Sequence, residues 1–121
     1  MRRVLLLTCV LLFAVATALA QDVTKVAGGE THKVILDNEH VRVLDVHLPP
    51  GQKVGMHSHP ENVVYYVTGG KVKVTTPDGK TVVREPKAGT ATWGGPVTHA
   101  VENVGTTEIH LVQTEMKEAA K

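Results

Sequence analysis

The residues of this chain that could do chemistry are its histidines. His57-Ser58-His59 sets two imidazoles two positions apart, and His99 supplies another well downstream. On extended backbone side chains alternate with period two, so His57 and His59 share a face while Met56 and Ser58 point away. Two imidazoles on one face can bind a single cation. A third from a distant strand completes a facial set that leaves coordination positions free for water or substrate, whereas a closed structural site takes four protein ligands. Imidazole donors favour zinc, copper, nickel or iron over magnesium or calcium.

Short β-branched runs broken by turn residues must hold these rings in place. From residue 34 onward such runs occupy 34–37, 41–48, 63–68, 71–75, 81–85, 90–93, 99–104 and 109–115. Their tempo predicts an all-β sandwich or barrel. Pro49-Pro50-Gly51, Gly69-Gly70, Lys87-Ala88-Gly89 and Gly94-Gly95-Pro96 punctuate them. Asp78-Gly79, between two runs, predicts a primed hairpin turn. No stretch carries a helical period over three turns, and residues 21–33, with Gly28-Gly29, read as a loose lead-in.

Two stretches resemble the motifs of the cupin superfamily. Gly51, His57, His59 and the later Gly69-Gly70 follow the order of the first motif. Gly89, Pro96, His99 and Asn103 follow that of the second. The resemblance spans 34–116 and implies a small antiparallel β-barrel of jelly-roll type, holding a metal through His57, His59 and His99. The first motif also has a glutamate, and its place falls on Val63, or on Asn62 counting from Gly69. Neither is acidic. Glu61 lies out of register after Pro60, where a bulge could turn it toward the metal; otherwise it is an exposed loop acid. The second motif is also altered, with Gly94 and Pro96 exchanged and Gly89 one place late. The expected ligand set is therefore three neutral histidines completed by water.

The other histidines carry less. His32, in the lead-in, and His40, beside Asn38-Glu39, read as surface residues, and His47 and His110 as partly buried strand residues. Asn103 fits either a turn hydrogen bond or support of the site. One of Tyr65 and Tyr66 should face the pocket, with Tyr65 in register with the His pair. Trp93 suits core or pocket lining. Arg42 and Arg84 read as exposed strand charges able to meet an anionic ligand, and Lys71, Lys73 and Lys80 as a solvated hairpin face that discourages edge pairing.

The N-terminus reads as an export signal over residues 1–20. Arg2-Arg3 precede an apolar run, and Ala18-Leu19-Ala20 offers small residues before a cut at Gln21. Cys9 lacks the neighbours of a lipoprotein anchor. The domain, 34–121, would then be secreted or periplasmic and free of membrane after cleavage. The full chain has 121 residues, 13 Lys+Arg against 12 Asp+Glu and a net charge of +1. That length allows one domain, and that balance gives no basic field for nucleic acid. Without residues 1–20 no cysteine remains, so stability must come from the core, alone or with a metal. Export in an unfolded state would favour zinc or copper, the tighter binders, ahead of nickel, iron or manganese. A small-molecule ligand is the expected partner, and exposed sheet edges leave a homodimer open. The resemblance does not choose a reaction. A metal-dependent dioxygenase or an isomerase/hydrolase of small carbonyl compounds stands beside a metal-free ligand-binding or structural module.

Overall fold

The computed structural model describes residues 21–118, so the export segment lies outside the described residues. The chain runs α1 (Val23–Thr31), β1 (His32–Asp37), β2 (Val41–Leu48), β3 (Lys53–His59), β4 (Asn62–Tyr66), β5 (Val72–Thr75), β6 (Thr81–Arg84), β7 (Ala91–Gly94), β8 (Val97–Asn103) and β9 (Ile109–Met116). All strand pairs are antiparallel. One sheet has the order β1-β2-β9-β4-β7 and the other β3-β8-β5-β6. The two sheets do not close on each other, so the expected barrel is more accurately an open sandwich.

The inward face follows from alternation. Leu44, Val46 and Leu48 of β2 point into the sandwich, where they meet Val54 of β3 and Ile109 of β9. Burying each such side chain contributes roughly 1.5–3 kcal/mol. This aliphatic cluster is small and sits at one side of the interior, leaving the remainder to histidines and a cavity.

Residues 21–33 are not a loose lead-in. Asp22 caps α1, its carboxylate accepting from the Thr24 amide at 2.9 Å. Val23 is fully buried, and the helix packs on β1, β2 and β3. The helix is short and breaks at Gly28 (φ 70°), so no helical period could develop; tertiary burial holds it.

The Asp78-Gly79 hairpin also differs from expectation. Only Gly79 has positive φ (83°), and the Gly79 amide donates to the Thr76 carbonyl. This is a type I turn followed by a left-handed glycine, the three-residue hairpin form. Pro77, with φ fixed near −65°, suits the first central position of type I and is incompatible with a primed turn. Gly69 and Gly70 are required for space. A Cβ on Gly69 would lie 2.7 Å from the Pro86 carbonyl oxygen, and one on Gly70 2.6 Å from Ile109 Cγ1.

Candidate metal centre

β3 does not alternate strictly, and that irregularity builds the site. Val54 is buried and inward, so strict alternation would send Met56 and Ser58 inward as well. A bulge between Val54 and His57 uses one extra residue and turns His57 and His59 inward instead. His57 then stands directly opposite His99 of β8. The ring centroids of His57 lie 4.8 Å from those of both His59 and His99, and His59 and His99 are 5.5 Å apart. One ligand atom from each ring falls within 4.8 Å of the others, close enough to hold a metal ion.

Hydrogen bonds outside the cluster decide which nitrogen His57 and His59 offer. The bulge leaves the Gly55 carbonyl facing His57 Nδ1 at 2.6 Å. A carbonyl only accepts, so Nδ1 carries the proton and Nε2 keeps its lone pair. His59 Nδ1 donates in the same way to Glu115 Oε1 at 2.6 Å. Glu115 is itself held by Arg42, whose Nε and Nη2 reach Oε2 at 2.6 and 2.5 Å. Arg42 continues to Asp22 Oδ2 at 2.8 Å, so one chain of charges ties the helix cap to His59. Burial opposes ionisation of Asp22, but hydrogen bonds from Arg42 and Thr24 bring its pKa down to about 2. Carboxylates behind metal-binding imidazoles fix ring orientation and raise ligand basicity.

Burial disfavours protonation of His57 and His99. It is the largest influence on His57, whose pKa falls below the ordinary value, and on His99, which drops to about 3 with help from neighbouring histidines and Arg84. His32 is lowered to about 4, again mainly by burial. In the unfolded chain these groups bind protons near pH 6.5, so below that pH the unfolded state holds more protons and folding is penalised. Without metal, the domain should therefore lose stability as pH falls from 6.5 toward 4. His32 and His99 each contribute a slope of up to about 1.4 kcal/mol per pH unit. Urea melts of chelator-treated protein at stepped pH measure it.

The cavity beside the histidines measures about 470 Å³. Val64 and Tyr66 line it, whereas Val63 and Tyr65 do not, which fixes the inward parity of β4. The residues of β4 that share the cavity with the histidines are thus Asn62 and Val64, and Val63 faces out. Tyr66, rather than Tyr65, lines the pocket, and burial raises its pKa, keeping the phenol protonated. Glu61 is exposed and outside the histidine cluster; its backbone carbonyl accepts from Met116. The buried Asn62 side chain instead joins Gln113 at 3.1 Å and the Pro60 carbonyl at 2.8 Å.

Several residues take places other than those expected. His32 is buried next to the site, its ring centroid 6.3 Å from that of His57, because β1 begins at His32 and pairs it with the inward Val46. Arg42 is an internal ion-pair partner. Glu115 was legible in principle: it continues the inward series Ile109, Leu111, Gln113 of β9, and an acid on a buried face calls for a partner. Asn103 serves the backbone, donating to the carbonyls of Leu48 and Thr107 and accepting from the Gly105 amide. Trp93 is exposed, on edge strand β7 at the cavity rim. His40 is on the surface as expected, and the hairpin lysines Lys71, Lys73 and Lys80 each meet an acid.

The family model for the cupin domain matches residues 44–114, which include all three histidines and strands of both sheets, though not β1. The chain is a cupin. A crystal structure of a cupin domain from Bordetella pertussis Tohama I is 34% identical, with a TM-score of 0.67 over 72% of this chain and 92% of that one. An uncharacterised conserved protein with a double-stranded β-helix domain from Klebsiella pneumoniae is 24% identical, with a TM-score of 0.58 over 74% and 78%. A cupin-family protein from Methanocaldococcus jannaschii is 15% identical, with a TM-score of 0.59 over 72% and 79%. The latter two likenesses show fold alone. No curated protein sequence matches the chain. Asn62 and Val64, the inward residues of β4 on the cavity wall, carry amide and apolar side chains and no carboxylate.

Proposed function

We propose that this cupin binds one divalent transition metal ion through Nε2 of His57 and His59 and a ring nitrogen of His99, and that its cavity takes a small ligand with an apolar body and an anionic group. The observation that supports the metal reading is the disposition of the ring protons. Gly55 and Glu115 engage Nδ1 of His57 and His59 from outside the cluster, which leaves Nε2 of each as the nitrogen available to an ion. The donor set fits zinc or copper first, then nickel, iron or manganese. A bound ion would supply Lewis-acid polarisation of a ligand oxygen.

The ligand class follows from charge. No Asp or Glu lines the cavity among the described residues, while Arg84 does and makes no ion pair among them. Three neutral imidazoles leave the ion's charge uncompensated in the pocket. A carboxylate would answer both the ion and Arg84, Tyr66 would offer a phenolic proton, and the valines of β4, β5 and β6 would meet an alkyl or aryl body. With metal-loaded protein, calorimetric titration of hexanoate and benzoate should show binding, and Arg84→Ala should weaken it about 10-fold. Hexanamide, which lacks the charge, should bind weakly to both proteins. Equal affinity for acid and amide would contradict this ligand class.

Export is the compartment we propose. A cut before Gln21 would spare the contacts that seat α1, since Ser58 N donates to the Gln21 carbonyl and Asp22 caps the helix. Mass spectrometry of the protein from its native cell should give a chain beginning at Gln21; a retained Met1 in the mature protein would contradict it.

A further inference from the structure

Away from the cavity, on the outer face of the five-stranded sheet, β2 and β9 set two more imidazoles side by side. His47 and His110 are direct cross-strand partners, with ring centroids 4.0 Å apart and planes at 14°. Asp45 precedes His47 by two residues and so projects from the same face. Its carboxylate touches both rings, Oδ1 lying 2.7 Å from His110 Nε2 and Oδ2 3.4 Å from His47 Nε2. Glu108, just before β9, meets His47 on its other side, Oε1 to Nδ1 at 2.9 Å. The ligand atoms of Asp45, His47 and His110 all fall within 4.8 Å of one another.

We infer that this outer face carries a second metal site, made by Nε2 of His47, Nε2 of His110 and the carboxylate of Asp45. Glu108 acts from behind as a positioning residue. By accepting from Nδ1–H of His47 it leaves Nε2 as the donor atom, the same arrangement that Glu115 imposes on His59 inside. A divalent ion takes the point on which both Nε2 atoms and the carboxylate converge. Two imidazoles and one carboxylate suit zinc, copper(II) or nickel, and the two nearby acids neutralise the ion's charge. The rings must cant out of their stack for both lone pairs to reach one ion. Because all four side chains are partly exposed, this takes rotation about side-chain bonds and no repacking of the core.

Outer and interior sites lie on opposite faces of the β2–β9 ladder and share no residue, so either can exist without the other. The test is ion stoichiometry on intact, chelator-stripped protein titrated with zinc and, separately, nickel. The expected result is about two ions per chain for the unaltered protein and about one for His47→Ala and for His110→Ala. Asp45→Asn should weaken the outer ion, and Glu108→Ala should weaken it about 10- to 100-fold. His57→Ala should keep the outer ion, and copper(II) in that variant should show two-nitrogen coordination by electron paramagnetic resonance. Unchanged melting temperatures for His47→Ala and His110→Ala would show that the loss is local. The inference is overturned if His47→Ala and His110→Ala bind as many ions as the unaltered protein. It is equally overturned if His57→Ala removes every ion. Loss of one ion in His47→Ala with none lost in His57→Ala would support the outer site while refuting the interior one.

Discussion

His57→Ala should abolish the interior metal site. His57 is the centre of the triad, its ring adjacent to those of both His59 and His99, and it is almost wholly buried. Loss of a carboxylate behind a metal-bound histidine already costs about 10- to 100-fold in affinity, so loss of the donor itself should exceed about 100-fold. His99→Ala should do the same, although its ring lies on another strand and another sheet position. That equivalence separates a metal site from a cluster of packed rings. If the rings only filled space, the two variants would differ in stability according to burial and neither would change metal content. Competition against a chelator of known affinity, run on both variants, measures the effect.

Glu115→Ala should produce the largest loss of stability of any single substitution at the site. Glu115 is 2% exposed and receives both the His59 ring and the Arg42 guanidinium. Its removal takes one of the two carboxylates from the largely buried Arg42, which keeps Asp22, and leaves the His59 Nδ1–H without its acceptor. Losing charge-assisted hydrogen bonds of this kind costs about 1.5–3 kcal/mol. Against a total of about 5–15 kcal/mol for a small domain, that is a large share. At roughly 4–8 °C per kcal/mol, the melting temperature should fall by at least about 6 °C. Glu115→Gln keeps the volume and one acceptor oxygen, so it should fall less while still weakening metal binding about 10-fold, because His59 loses the charge that orients it. Thermal melts of the metal-free variants, followed by metal titration of Glu115→Gln, check both halves. Should Glu115→Ala melt within about 2 °C of the unaltered protein, the Asp22–Arg42–Glu115–His59 chain would not bear on stability.

The sequence made the strands and the three interior histidines readable because both depend on local pattern. β2 was readable to its end residues, since alternating valine and leucine between turn signals leaves one interpretation. The histidines were readable because a period-two pair and one distant ring are a constraint on spacing alone. What escaped depends on contacts between distant segments. Val54 and His57 both face inward only because a bulge at residues 55 and 56 reverses parity, and no residue type there announces it. The same parity question misplaced the missing acid at Val63, where the inward position is Asn62 or Val64. His32 looked like a surface residue because nothing in 21–33 shows that α1 is held by a buried Val23 and a capped N-terminus. Arg42 looked solvent-exposed because its partners, Asp22 and Glu115, lie far from it in the chain. The outer pair His47 and His110 shows the same limit: each is an ordinary strand histidine until the β2–β9 register sets them opposite each other.

Metal content of a chain lacking the outer site tests the central claim most directly. The His47→Ala/His110→Ala protein, purified without chelator and reconstituted in turn with zinc, copper, nickel, ferrous iron and manganese, should hold about one ion per chain with at least one of these metals. Adding His57→Ala should reduce that to near zero. An empty chain with every metal, or an ion retained after His57 is replaced, would contradict the assignment of the interior histidines as a metal centre.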